Sequence, residues 1–117
     1  MFLPTEEWVH VAITTDNLKG VHLCYINGKL EQSITGRKDK PNVVPGRANV
    51  IGGNNVSNNY FPGEIYSIAL YNDVRSEREI KRDATSPSPN GLVAAWNLSG
   101  AGSTVKDISG NGYDATR

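Results

Sequence analysis

An all-β sandwich carrying one short helix is the fold class this sequence predicts, and three observations carry that expectation. Short runs rich in β-branched and aromatic residues alternate with turns drawn from 12 Gly and 6 Pro. Asn27-Gly28 stands between two such runs, and Asn-Gly is the strongest short-range hairpin signal because a type I′ turn needs positive φ at both central positions. One helix-start pattern interrupts the β rhythm, at Ser76.

Trp8-Val9-His10-Val11-Ala12-Ile13-Thr14-Thr15 reads as the first strand, broken by Asp16, Asn17 and Gly20. Val21 to Ile26 is the second, and Lys29 to Ile34 returns from the Asn27-Gly28 turn. Residues 35–46 are polar and proline-containing, a loop; Ala48-Asn49-Val50-Ile51 is a short strand ended by Gly52-Gly53. The segment 54–60 is rich in asparagine, which tolerates left-handed backbone, so it reads as an exposed loop. Gly63 to Tyr71 is apolar on both alternating faces and reads as a long central strand. Ser76-Glu77-Arg78-Glu79 fits a capping box, with Ile80 as the apolar contact of a helix reaching toward Ala84. Ser86-Pro87-Ser88-Pro89-Asn90 is a stiff linker, Leu92 to Leu98 a further strand, and the chain ends in a turn-dense stretch around Asp107 to Asp114.

Composition narrows the function classes. The chain of 117 residues is one domain, 1–117, and its 12 basic and 12 acidic residues balance, so no global field draws it to nucleic acid. No apolar stretch approaches the ~20 residues of a membrane span, so no membrane insertion is expected. No basic-then-apolar leader opens the sequence, so an export signal would lie outside these residues. The single Cys24 sits in a strand and reads as a small packed residue.

Glycosidase chemistry on a sandwich needs two carboxylates about 5–9 Å apart, hence acids two or four apart on one strand face. No strand carries such a pair, so the chain is read as non-catalytic. His10 and His22 form no ligand pair, and His10 shares a face with Trp8 as a packing residue. Asp107-Ile108-Ser109-Gly110-Asn111-Gly112 combines hard oxygen donors with glycine turns: Asp107 and Asn111 are either Ca²⁺ ligands or parts of an Asx-stabilised turn. Asn55, Asn58 and Tyr60 are the candidate ligand-binding residues, because sugar sites join an aromatic plane to amide hydrogen bonds.

Several segments resemble the laminin G-like, pentraxin-like domains of the concanavalin A-like lectin/glucanase superfamily. Trp8-Val9-His10-Val11-Ala12 resembles a W-x-H-V-A strand, and Leu23 to Gly28 an l-x-Y-v-N-G hairpin. Val50-Ile51-Gly52-Gly53 resembles l-x-I-G-g, Phe61 to Asn72 resembles F-x-G-x-I-y-s-i-r-i-Y-N, and Ser76 to Ile80 the following S-x-x-E-I. Residues 1–85 thus resemble the family's C-terminal part. After the linker 86–90, residues 91–117 resemble its opening, through Gly91 to Leu98 and the D-x-S-G-N pattern at Asp107. The order is inverted and the family's middle is missing, so the chain is a permuted and shortened module, a fragment, or a junction of tandem modules.

The resemblance implies a concanavalin A-like antiparallel jelly roll. It also implies a non-catalytic lectin-like module of a larger extracellular protein that recognises a glycan or cell-surface ligand; the alternative is a structural or adhesive domain with no glycan ligand. Relatives hold a calcium near the D-x-S-G-N turn, which raises the Ca²⁺ reading of Asp107 and Asn111. Where relatives place an acidic pair after G-x-I, this sequence has Tyr66 and Ser67. The missing strands would leave apolar faces and sheet edges uncovered, so a homodimer through exposed strands is expected.

Overall fold

The computed structural model describes residues 6–36, 50–53 and 60–117. Within them seven strands and one helix follow in the order β1 (Val11–Asp16), β2 (Val21–Ile26), β3 (Lys29–Thr35), β4 (Ser67–Tyr71), α1 (Glu77–Asp83), β5 (Leu92–Asn97), β6 (Thr104–Val105) and β7 (Ala115–Thr116). They form three sheets, ordered β1-β2-β3, β4-β5 and β6-β7. The all-β class with one short helix is therefore what the sequence folds into.

The chain divides into two compact units, residues 1–40 with 70–93 and residues 41–69 with 94–117. In the first, β1 and β2 pair antiparallel from Val11↔Ile26 to Asp16↔Val21. Their turn is set by Asp16, whose Oδ1 accepts from the N–H groups of Leu18 and Lys19. Its carbonyl takes the Gly20 N–H at 2.8 Å, where Gly20 has φ +68°. The β2-β3 turn is the expected one: Asn27 at φ +50° and Gly28 at φ +80° supply both left-handed positions of a type I′ turn. Asn27 also ties the first strand to this turn, because its Oδ1 accepts from His10 N–H while its own N–H donates to the His10 carbonyl. The β2-β3 register shifts between Cys24 and Tyr25, so Gln32 faces Cys24, Leu30 faces Tyr25, and Glu31 bulges between them.

Helix α1 has the anticipated capping box: Ser76 Oγ accepts from Glu79 N–H and the Glu79 carboxylate accepts from Ser76 N–H. Ile80 is its buried apolar residue, as expected, and Tyr25 is the buried residue of β2. A Cβ at Gly28 would lie 2.6 Å from Lys81 Cγ, which places the helix against the hairpin turn. Cys24 is half-buried.

The second unit is built around Ala94, Ala95, Val105 and Asp107, all buried. The β6-β7 pair joins Thr104 to Thr116 and Val105 to Ala115, and a single antiparallel bridge joins Trp96 to Asp107. Here the structure corrects two expectations. The strand expected over Gly63 to Tyr71 shortens to Ser67–Tyr71, is largely exposed and, among the described residues, lies in a two-stranded sheet with β5. Val50 to Gly53 is a bend, with Gly52 at φ +80°, rather than the end of a strand; Ala48 and Asn49 lie outside the described residues. The stretch Asp107 to Asp114 is turn-dense, as expected, and lies between β6 and β7.

Candidate functional site

The Asp107 turn is the most constrained polar feature of the second unit. Its carboxylate is buried, at 2 % exposure. One oxygen accepts from Ala95 N–H at 2.9 Å and Ser109 N–H at 3.0 Å, and the other from Tyr113 N–H at 3.0 Å. The Asp107 N–H in turn donates to Asp114 Oδ1 at 2.9 Å. Around this centre Ile108 N–H donates to the Ala95 carbonyl and Trp96 Nε1–H to the Tyr113 carbonyl, each at 2.8 Å. Gly110 and Gly112, at φ +87° and +85°, let the chain reverse. Burial alone would raise the Asp107 carboxyl, but the backbone N–H groups of Ala95, Ser109 and Tyr113 win and hold it at about 2.

These contacts make Asp107 a clamp on three stretches of backbone. A Ca²⁺ ion takes about six to eight oxygen ligands, whereas this carboxylate already serves three N–H donors. Among the described residues no three His, Cys, Asp or Glu side chains converge at metal-holding distances. Asn111 is exposed, and its N–H donates to Ser109 Oγ at 3.2 Å. The Ser109 N–H bond to Asp107 Oδ1 is that of an Asx-stabilised turn.

Of the candidate ligand residues, Tyr60 projects into solvent at 69 % exposure, followed by the half-exposed Phe61. Phe61 N–H donates to the Gly52 carbonyl at 2.8 Å, which fixes where the segment emerges. Asn55 and Asn58 lie outside the described residues. In the same unit Tyr66 and Tyr113 are also more than half exposed.

One cluster in the first unit escapes sequence reading. The Arg75 guanidinium, 7 % exposed, pairs with Asp83 at 2.7 Å, Glu79 at 3.1 Å and Asp73 at 3.2 Å. It also donates to Ser88 Oγ at 2.8 Å and to the Asn90 carbonyl, and lies 4.1 Å from the centre of the Tyr71 ring. Burial would raise the Asp83 carboxyl, but hydrogen bonds from Arg75 and Ser88 keep it below its ordinary value. One fork-shaped cation thus ties the end of β4, both ends of α1 and the 86–90 linker together. Its three acids are all engaged by the same arginine. The i, i+4 spacing of Arg75 and Glu79 was the one local signal for it.

Nothing in the described strands resembles a hydrolytic pair. Their acids are Asp16 and Glu31, on β1 and β3 with β2 between them, and Asp16 is spent on its own turn. His10 is partly buried and its Nδ1 has no hydrogen-bond partner. Burial lowers its pKa against the pull of Asp83.

A family profile described as the concanavalin A-like lectin/glucanases superfamily, of the laminin G type, matches residues 2–81. No curated protein and no solved structure matches the chain.

Proposed function

Because the chain belongs to the laminin G-like family of the concanavalin A-like lectin/glucanase superfamily, we propose that it is a non-catalytic carbohydrate-recognition module of a larger extracellular protein. Family membership is the observation that carries this reading. The superfamily's sandwiches suggest a carbohydrate-binding type of module, and laminin G-like domains are generally non-catalytic and typically extracellular. No described helix is long and apolar enough to cross a membrane. Recognition is assigned to the loop that ends at Tyr60. Its exposed ring offers a stacking plane for the apolar face of a pyranose, and the amides of Asn55 and Asn58 supply donors and acceptors for hydroxyls.

Tyr60→Ala tests the assignment on any glycan the wild type binds. Loss of one stacking contact, about 1 kcal/mol, weakens binding by roughly fivefold to tenfold. An unchanged affinity moves the site elsewhere. The calcium role of Asp107 and Asn111 is tested separately: added Ca²⁺ raises the melting temperature by mass action if they hold the ion, and Asp107→Ala abolishes the increment. No calcium-dependent shift leaves Asp107 as a backbone clamp.

A further inference from the structure

We propose that Asn97 is an N-glycosylation acceptor, taking an oligosaccharide on its side-chain nitrogen as the chain is exported. This rests on the extracellular part of the function proposed above, because transferases that use lipid-linked oligosaccharides act on chains that have left the cytosol. Asn97-Leu98-Ser99 has the required spacing, an asparagine two residues before a hydroxyl with a residue other than proline between them. Asn55-Val56-Ser57 has the same spacing and lies outside the described residues.

Asn97 is the last residue of β5, and both it and Ser99 are exposed. Acceptor and hydroxyl therefore stand together at the surface where the strand gives way to a bend. The amide is oriented by the same hydroxyl that the acceptor triplet requires. Ser99 Oγ–H donates to Asn97 Oδ1 at 2.6 Å, and Ser99 N–H donates to the same oxygen at 3.1 Å. A backbone N–H can only donate, so the atom it meets is the amide oxygen. Nδ2, the atom to be modified, is the end of the amide that this turn leaves unused.

The turn is held without that nitrogen. Leu98 N–H donates to the Tyr66 carbonyl at 2.7 Å, and the Arg117 guanidinium donates to the carbonyls of Leu98 and Gly102 at 3.1 and 3.0 Å. A Cβ at Gly100 or at Gly102 would meet nothing within 4 Å, so the surface just beyond the acceptor has room for a bulky, solvated group. In the transfer, Nδ2 attacks the anomeric carbon of an oligosaccharide carried on a lipid diphosphate. The carbon–nitrogen bond forms, the bond from that carbon to the diphosphate breaks with its electron pair leaving on oxygen, and Nδ2 gives one proton to a base of the transferase. Oδ1 is untouched, so both Ser99 bonds are compatible with the product.

The full chain, sent down the secretory route of a eukaryotic cell behind a cleavable leader, tests the assignment. An Asn55→Gln background leaves Asn97-Leu98-Ser99 as the remaining acceptor triplet. The lumenal or secreted chain is expected to carry one oligosaccharide, which a peptide N-glycosidase removes while leaving an aspartate at position 97 in the peptide mass spectrum. Ser99→Ala is expected to abolish the modification, and Ser99→Thr, which keeps a hydroxyl, to retain it. A chain recovered from that route with an unmodified asparagine at position 97 overturns the proposal, as does modification that survives Ser99→Ala. The supplied leader takes the chain past the transferase whatever its native route. A negative result therefore counts against Asn97 and leaves the extracellular reading standing, while Tyr60→Ala reads glycan binding separately.

Discussion

At the residue scale Asp107 and His10 link chemistry to stability with signs that can be checked. The Asp107 carboxyl sits at about 2 against an ordinary 3.8. Its stabilisation is complete above pH 4 and is lost as pH falls from about 4 through about 2. Asp107→Asn removes that acid-limb slope and lowers the melting temperature at neutral pH; a slope that survives the substitution would assign it to other carboxylates. His10 has the opposite charge type and a lowered pKa, from burial outweighing Asp83. A base held neutral by burial keeps its full contribution above its unfolded pKa of 6.5 and loses it as pH falls below that value. Thermal melts from pH 7.5 to 5 should show the loss in the wild type and a smaller one in His10→Gln. That Asp107 mattered was legible, because an acid followed by Ser-Gly-Asn-Gly marks a turn. Which role it plays was not, because two of its donors, Ala95 and Tyr113, come from 12 and 6 residues away.

At the scale of elements, the hairpin and the helix were legible to their caps, because each is specified by residues adjacent in sequence. Asn27-Gly28 and Ser76-Glu79 carry their own partners. Gly28→Val forces a β-branched residue to φ +80°, at a cost of about 1–2 kcal/mol in urea unfolding; a loss below ~0.5 kcal/mol would contradict the type I′ assignment. β4 shows the converse. Its apolar letters continue back to Ile65, but strand length depends on pairing partners that periodicity does not reveal. The Arg75 cluster was missed for the same reason, since its partners Asp73, Asp83, Ser88 and Asn90 meet only once α1 and the linker fold back. Removing a buried cation strands its acids, so Arg75→Ala is expected to cost about 3 kcal/mol. Arg75→Lys should recover less than half, because an ammonium lacks the fork that reaches several carboxylates. Equal stability of Arg75→Lys and wild type would reduce the cluster to a surface ion pair.

For the whole molecule, the all-β class and the family were readable because the matching segments occur in family order over most of the chain. The assembly was not readable, because residues 91–117 lie outside the matched span while β5 pairs with β4. Among the described residues, Ala94, Ala95 and Val105 are three of the five buried apolar side chains, beside Tyr25 and Ile80. A chain ending at Asn90 should therefore lose cooperative unfolding if 91–117 completes a permuted module. Unfolding as sharp as that of the full chain would mark those residues as the start of a following module. The central claim is recognition of a carbohydrate, and a glycan array probed with the full chain, with and without chelator, tests it most directly. Saturable binding to a related set of glycans, weakened by Tyr60→Ala, is the predicted result; no binding to any glycan in either condition would contradict it and leave a structural or adhesive domain.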